Sequence, residues 1–141
     1  EVAVRACIGR GLSVRQGNIE EGLADYPDGA FDYVVLSQTL AYLNRPEPVV
    51  REMLRVGRRA VISFDNAGYW RERLRMLGGG GYGTILGSGE PSVRAITLAQ
   101  FETFTRTVGA RVDRNEFVTN PRHVGFLPAL LSQTAIYSLT A

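Results

Sequence analysis

Three polar side chains, Ser37, Gln38 and Thr39, follow the unbroken apolar run Val34-Val35-Leu36. A buried strand that simply ends in a turn does not need them. Two hydroxyls and a primary amide at a strand end can donate to and accept from a polar ligand. That is chemistry of binding and orientation rather than of proton transfer. The other reading of this triplet is that it caps the turn that follows. A second apolar run ends in Asp65, Asn66, Tyr69 and Trp70. These reach the same mouth from the other side, or, for the two aromatics, pack a helix onto a sheet; packing is the preferred reading. None of these groups is an evident general base of the kind a placed histidine or paired carboxylates would provide.

The remaining composition excludes several chemistries. Every one of the 16 cations is arginine, and with no lysine neither a Schiff base nor a P-loop lysine is available. One histidine, His123, and one cysteine, Cys7, cannot make the usual Cys/His zinc site, so no metal is expected. There is no G-x-S-x-G elbow; His123 lies in the turn-like NPRHVG and reads as an exposed loop residue. Cys7 beside Ile8 reads as a buried, inert thiol. The lone cysteine fits a reducing compartment, hence a cytoplasmic location. No apolar run approaches the ~20 residues of a membrane helix, and no membrane partner is expected. The arginines alternate with acids in REMLRVGRR and RERLRM, as on solvated faces with surface pairs. With net charge only +2 and no basic stripe, no nucleic-acid partner is expected.

The elements that must position these residues follow from periodicity. With 141 residues, one domain is expected. Residues 2–8 read as a helix stopped by Gly9 and Gly11, and residues 12–16 as a short strand. Residues 18–30 form a polar connection with turn signals at Tyr26-Pro27 and Asp28-Gly29. Residues 31–36 are a strand. In NRPEPVVREMLRVG, Asn44 is placed to cap a helix. Pro48 suits its first turn, Val49, Val50, Met53, Leu54 and Val56 make its apolar face, and Gly57 ends it. Residues 59–64 are the next strand, so the two strands and the helix between them make a parallel β-α-β unit with a right-handed crossover. Tyr69 to Leu77 is helical. The glycine-rich stretch Gly78–Pro91 reads as a mobile loop. Thr97 and Gln100 form a capping box before a helix with Leu98, Phe101, Phe104 and Val108 on one face, ended by Gly109. Residues 111–119 and 135–140 are expected to pair as antiparallel strands. In an open α/β sheet of this kind, ligands bind at the carboxyl ends of the strands, which is where Ser37, Gln38 and Thr39 lie.

This element order is similar to the second half of a class I S-adenosylmethionine (SAM) methyltransferase domain, a Rossmann-like three-layer αβα fold with a mostly parallel sheet and a C-terminal antiparallel strand pair. Within that superfamily the match is closer to one family. RGLSVRQGNIEEGLADYPDGAFDYVVLSQTL, EMLRVGRRAVISF and NAGYW resemble the MetW family of methionine biosynthesis proteins, from about Arg10 to Trp70 and again from Ile96 to Val108. The glycine-rich stretch between them does not match the family's longer segment.

The resemblance implies SAM as the cofactor, with Asn18 hydrogen-bonded to the adenine and Ile19 packed on it. Ser37, Gln38 and Thr39 would line the same pocket. Asn18 stands where the family usually has Asp, and its carbonyl can still accept; a plain turn residue is the other reading. The resemblance begins in mid-domain. The strands that carry the glycine-rich turn and the ribose-binding acid are expected upstream of Glu1, so the single methyltransferase-like domain over residues 1–141 is expected to be N-terminally incomplete. Residues 12–16 would then lie beside a gap or pair elsewhere, in a homodimer for instance. By resemblance, the function is that of a partner or activator of a homoserine O-acyltransferase in methionine biosynthesis; the alternative is a SAM-dependent methyltransferase acting on a small molecule.

Overall fold

The computed structural model describes residues 2–14, 16–78, 93–119 and 122–141. Most of the glycine-rich stretch lies outside them. In chain order the elements are α1 (Val2–Gly9), β1 (Phe31–Ser37), α2 (Pro46–Val56), β2 (Gly57–Asp65), α3 (Trp70–Leu77), α4 (Leu98–Val108), β3 (Arg111–Thr119), β4 (Arg122–His123), α5 (Pro128–Leu131) and β5 (Thr134–Thr140). Short 3-10 turns occupy Ile19–Glu21 and Leu40–Tyr42. The five strands form one sheet in the order β1-β2-β5-β3-β4.

β1 and β2 run parallel, joined by α2, as the apolar patterning requires. Gly57 makes that unit compact, because α2 passes directly into β2 with no connecting loop. A Cβ at Gly57 would sit 2.6 Å from Val34 Cγ2 and 3.0 Å from the Met53 carbonyl oxygen, so only glycine fits. α2 starts differently from expectation. Arg45 is its N-cap residue, with no side-chain cap, and Pro46 rather than Asn44 opens the helix. α4 begins with the expected capping box: Gln100 N–H donates to Thr97 Oγ1 and Thr97 N–H to Gln100 Oε1. It ends at Gly109 in the left-handed conformation, φ 77°.

β5 lies antiparallel between β2 and β3. Its alternate residues Ala135, Tyr137 and Leu139 are wholly buried beneath α2 and α4. With Ala60, Ile62 and Phe64 of β2 and Val50, Met53 and Phe101 of the helices they form the core. Its centre is aromatic: Phe101 lies 4.6 Å from Tyr137 and 4.7 Å from Phe64, ring centre to ring centre. Burial pushes the Tyr137 phenol up, with Glu102 adding to the effect. The opposite face of the sheet is more open, with Tyr33 and Val35 of β1 59% and 65% exposed.

The expected strand over residues 12–16 is not observed. Leu12, Ser13, Val14 and Gln16 belong to no strand, and among the described residues β1 has a ladder neighbour, β2, on one side only. An alternating sequence without a neighbouring ladder does not hold as a strand.

Candidate functional site

The carboxyl ends of β1 and β2 lie side by side, with Ser37 opposite Ser63. Their hydroxyls meet at 3.3 Å. Gln38 N–H donates to both the carbonyl (3.0 Å) and the hydroxyl (3.3 Å) of Ser63. The chain then reverses through Gln38 with φ 53°, a left-handed conformation unusual for a residue with a side chain. Thr39 Oγ1 donates back to the Ser37 carbonyl at 2.8 Å instead of capping the turn over Leu40–Tyr42. The hydroxyls of Ser37 and Thr39 therefore shape the strand end. The Gln38 side-chain amide makes no hydrogen bond with the described residues and lines a cavity of about 190 Å³ with Tyr42, Asp65 and Arg94.

A second cavity of about 350 Å³ shares Tyr42, Asp65 and Val93 with the first. Asn66, Tyr69, Glu72, Arg75 and Gln133 complete its lining. The Asp65 carboxylate is exposed and accepts from Thr134 Oγ1 at 3.1 Å. Arg75 pairs with Glu72 at 3.6 Å. Two carboxylates, a guanidinium and two phenols suit orientation of a polar ligand; nothing in the set is arranged as an acid–base pair.

Asn66 serves the scaffold rather than a ligand. It is buried; its Nδ2 donates to Ala129 O (3.2 Å), Ser132 O (3.0 Å) and Ser132 Oγ (3.3 Å), and its Oδ1 accepts from Gly68 N–H at 2.9 Å. Tyr69, the residue before α3, is buried, but Trp70 on the helix is 42% exposed, with the Arg71 guanidinium 5.4 Å from its ring centre, so α3 does not pack an aromatic face on the sheet as expected.

Asn18 and Ile19 lie on the other side of β1 and line different cavities from Gln38. Asn18 Oδ1 accepts from Glu20 N–H at 3.0 Å, which caps the turn over Ile19–Glu21. A carbonyl oxygen has two lone pairs, so one remains for an amino group. Ile19 is 44% exposed and offers an apolar wall. An adenosine-type group needs that combination of an acceptor and a flat apolar contact, so these two residues fit its nucleoside half. Glu20 ties this turn to the segment after Tyr42: its carboxylate accepts from Asn44 N–H and from Arg45 N–H, the latter at 3.0 Å. Those bonds, the Arg45 N–H foremost, hold the Glu20 carboxyl below its ordinary pKa.

Sequence reasoning missed Tyr42, Glu72, Arg75, Val93, Arg94 and Gln133. Tyr42 carries a faint signal, an aromatic three residues beyond Thr39. Val93, Arg94 and Gln133 come from distant segments and carry none. His123 sits on β4, 76% exposed, with Nδ1 3.1 Å from Glu116 Oε2, and lines neither cavity at the mouth. Among the described residues, no cluster of His, Cys, Asp and Glu could hold a metal ion, and no helix is long and apolar enough to cross a membrane.

Comparison with known proteins agrees with this architecture. The family model for methionine biosynthesis protein MetW matches residues 1–139. A bifunctional methionine biosynthesis protein MetXA/MetW from Rhodopirellula baltica is 43% identical over 60 residues, 43% of this chain but 10% of that protein. Among solved structures, a SAM-dependent methyltransferase of Thermotoga maritima, described as a possible histamine N-methyltransferase, has TM-score 0.68 at 13% identity, covering 99% of this chain and 69% of its own. A SAM-dependent methyltransferase from Archaeoglobus fulgidus has TM-score 0.67 at 15% identity, covering 100% and 72%. At such identities the likeness is one of fold: a mixed sheet with helices of the class I methyltransferase type.

Proposed function

Because this chain belongs to the MetW family of methionine biosynthesis proteins, we propose that it acts in methionine biosynthesis as a methyltransferase-fold partner and activator of a homoserine O-acyltransferase. The observation that carries this reading is the Rhodopirellula relative, whose name joins MetXA and MetW in one protein. Two activities kept on one chain stay at high effective concentration, which favours their association. The absence of an acid–base set among the described mouth residues fits a role in binding better than one in demanding chemistry. The test is co-purification of the full-length protein with its own homoserine O-acyltransferase, followed by an acyl-transfer assay with and without it. A stable complex and a faster acyl transfer are expected. No complex together with an unchanged rate refutes the reading.

A second reading rests on the mouth itself: binding of SAM, and methyl transfer to a small molecule. SAM, when bound, supplies an activated methyl group, and transfer then needs little beyond in-line positioning of the acceptor. In this chain Asn18 and Ile19 would hold the nucleoside and Gln38 the polar remainder, with Ser37 and Thr39 shaping the edge beneath them. Asp65 and Tyr42 would face the acceptor. Calorimetry with SAM on the full-length protein tests this, and no heat of binding at millimolar ligand would overturn it.

A further inference from the structure

Arg55 lies in the last turn of α2, in a stretch whose alternating charges suggest a solvated face. Its environment shows more than surface pairing. A guanidinium has five N–H donors, and all five of Arg55 have acceptors. Nε and one terminal nitrogen grip the Glu52 carboxylate at 2.8 Å each. The same terminal nitrogen reaches Leu23 O at 3.1 Å. The other donates to Tyr26 O at 3.0 Å and to Asp28 Oδ1 at 2.6 Å. Glu52 also accepts from Leu23 N–H at 3.3 Å, and Gly29 N–H donates to the Arg55 carbonyl at 2.9 Å. Residues 23–29 are thus fastened along the C-terminal half of α2. Glu20 fastens the same connection at the other end of α2, through the Asn44 and Arg45 amides. Asn18 and Ile19 sit immediately beyond that second fastening.

We propose that Arg55 is a positioning residue for the nucleoside side of the candidate site: by pinning residues 23–28 to α2 it sets where the Asn18–Ile19 turn stands relative to the sheet edge. The proposal rests on the reading that this edge takes a SAM-like ligand. No other side chain can substitute. Lysine presents three donors from one point and cannot span two carboxylates and two carbonyls at once.

The test uses the full-length protein with Arg55→Met, which keeps an apolar stem, and Arg55→Lys, which keeps the charge. Amide hydrogen exchange reads the anchoring, and calorimetry with S-adenosylhomocysteine and 5′-methylthioadenosine reads the site. In both variants exchange across residues 18–29 is expected to rise about tenfold or more, the usual scale for losing charge-assisted hydrogen bonds, while α4, β2 and β5 keep their protection. Affinity for both ligands should fall by the same factor, because both carry the nucleoside and only one carries the amino-acid end. Wild-type exchange over 18–29 in Arg55→Met, or equal loosening throughout the sheet, overturns the anchoring. Unchanged affinity in a loosened variant overturns the positioning role. If the wild-type protein binds neither ligand, the cofactor reading falls and the ligand part of this proposal falls with it, while the exchange result still decides the anchoring.

Discussion

The two rims of the candidate mouth are held by opposite means. On the β1 side, charged groups of Glu20, Glu52 and Arg55 hold residues 18–29, and they do so at the protein surface: the Arg55 and Glu52 side chains are 31% and 29% exposed. On the β2 side a single neutral amide, Asn66, ties the turn at Gly68 to α5 and Ser132 from a position 1% exposed. A partly wet charged fastening can be loosened locally by salt, protons or a partner. A dry neutral one opens only when its surroundings unfold. One rim is therefore adjustable and the other is part of the core.

The strongest way to break this contrast is at Asn66. Asn66→Leu keeps the branched shape but leaves the buried Ser132 O and Gly68 N–H without their partner and removes a contact from Ala129 O and from Ser132 Oγ, which still donates to Pro128 O. Each unsatisfied buried group costs about 1–3 kcal/mol, so a global loss of about 3 kcal/mol or more is expected in urea unfolding, with the transition still cooperative. A loss below about 1 kcal/mol would show that the amide is not a core fastening. Arg55→Met is expected to cost clearly less than Asn66→Leu, because its hydrogen bonds are partly solvated. Thermal unfolding of the two variants side by side ranks them; an Arg55 variant that matches Asn66→Leu would erase the distinction.

Acid and salt sharpen the comparison without mutation. Hydrogen bonds lower the folded pKa of both Glu20, chiefly through Arg45 N–H, and Glu52, chiefly through Arg55. A carboxylate with a depressed folded pKa contributes stability that is fully present above its unfolded value, about 4.3, and is lost as pH falls through the lower folded value. Exchange over residues 18–29 should therefore accelerate, relative to α4, as pH drops below about 4.3. It should also accelerate near 1 M salt, where the Debye length is about 3 Å. Exchange at Gly68 and Ser132, held by an uncharged amide, should follow neither change. Parallel acceleration of both rims would remove the basis for calling one adjustable.

Much of this arrangement was legible in the sequence, and what was not has a common cause. The β1-α2-β2 unit, the Thr97–Gln100 capping box and the antiparallel pairing of β3 with β5 follow from local periodicity and end signals, and the structure has them. Ser37, Gln38 and Thr39 do stand at a strand end beside a cavity, yet only Gln38 points an uncommitted polar group there. The fastenings were invisible because their partners are remote in sequence. Arg55 beside Glu52 looks like an ordinary i,i+3 surface pair until Leu23, Tyr26 and Asp28 are seen 27 to 32 residues away. Asn66 looks like a site residue until its partners at Ala129 and Ser132 are seen. The strand read at residues 12–16 fails for the complementary reason: its pattern is local, but a strand needs a neighbour.

Between the two rims, Gln38 gives the smallest and most discriminating effect. Its φ of 53° lies in the left-handed region, which costs a residue with a side chain about 1–2 kcal/mol and costs glycine little. Glycine gives back about 0.5–1 kcal/mol of that in unfolded-chain entropy. Gln38→Gly should therefore leave stability unchanged or raise it by at most about 1.5 kcal/mol, as read from the urea midpoint. Its backbone N–H can still donate to Ser63, so the junction of β1 and β2 should persist. What the variant removes is a side-chain amide that, among the described residues, makes no hydrogen bond within the fold and lines the cavity beside β1. If the mouth takes a polar ligand, Gln38→Gly should weaken its binding while the protein becomes no less stable, the signature of strain kept for a side chain's placement. A glycine variant that is clearly destabilised would instead make Gln38 part of the scaffold, like Asn66, and would move the boundary between the adjustable and the fixed rim to the β1 side of the mouth.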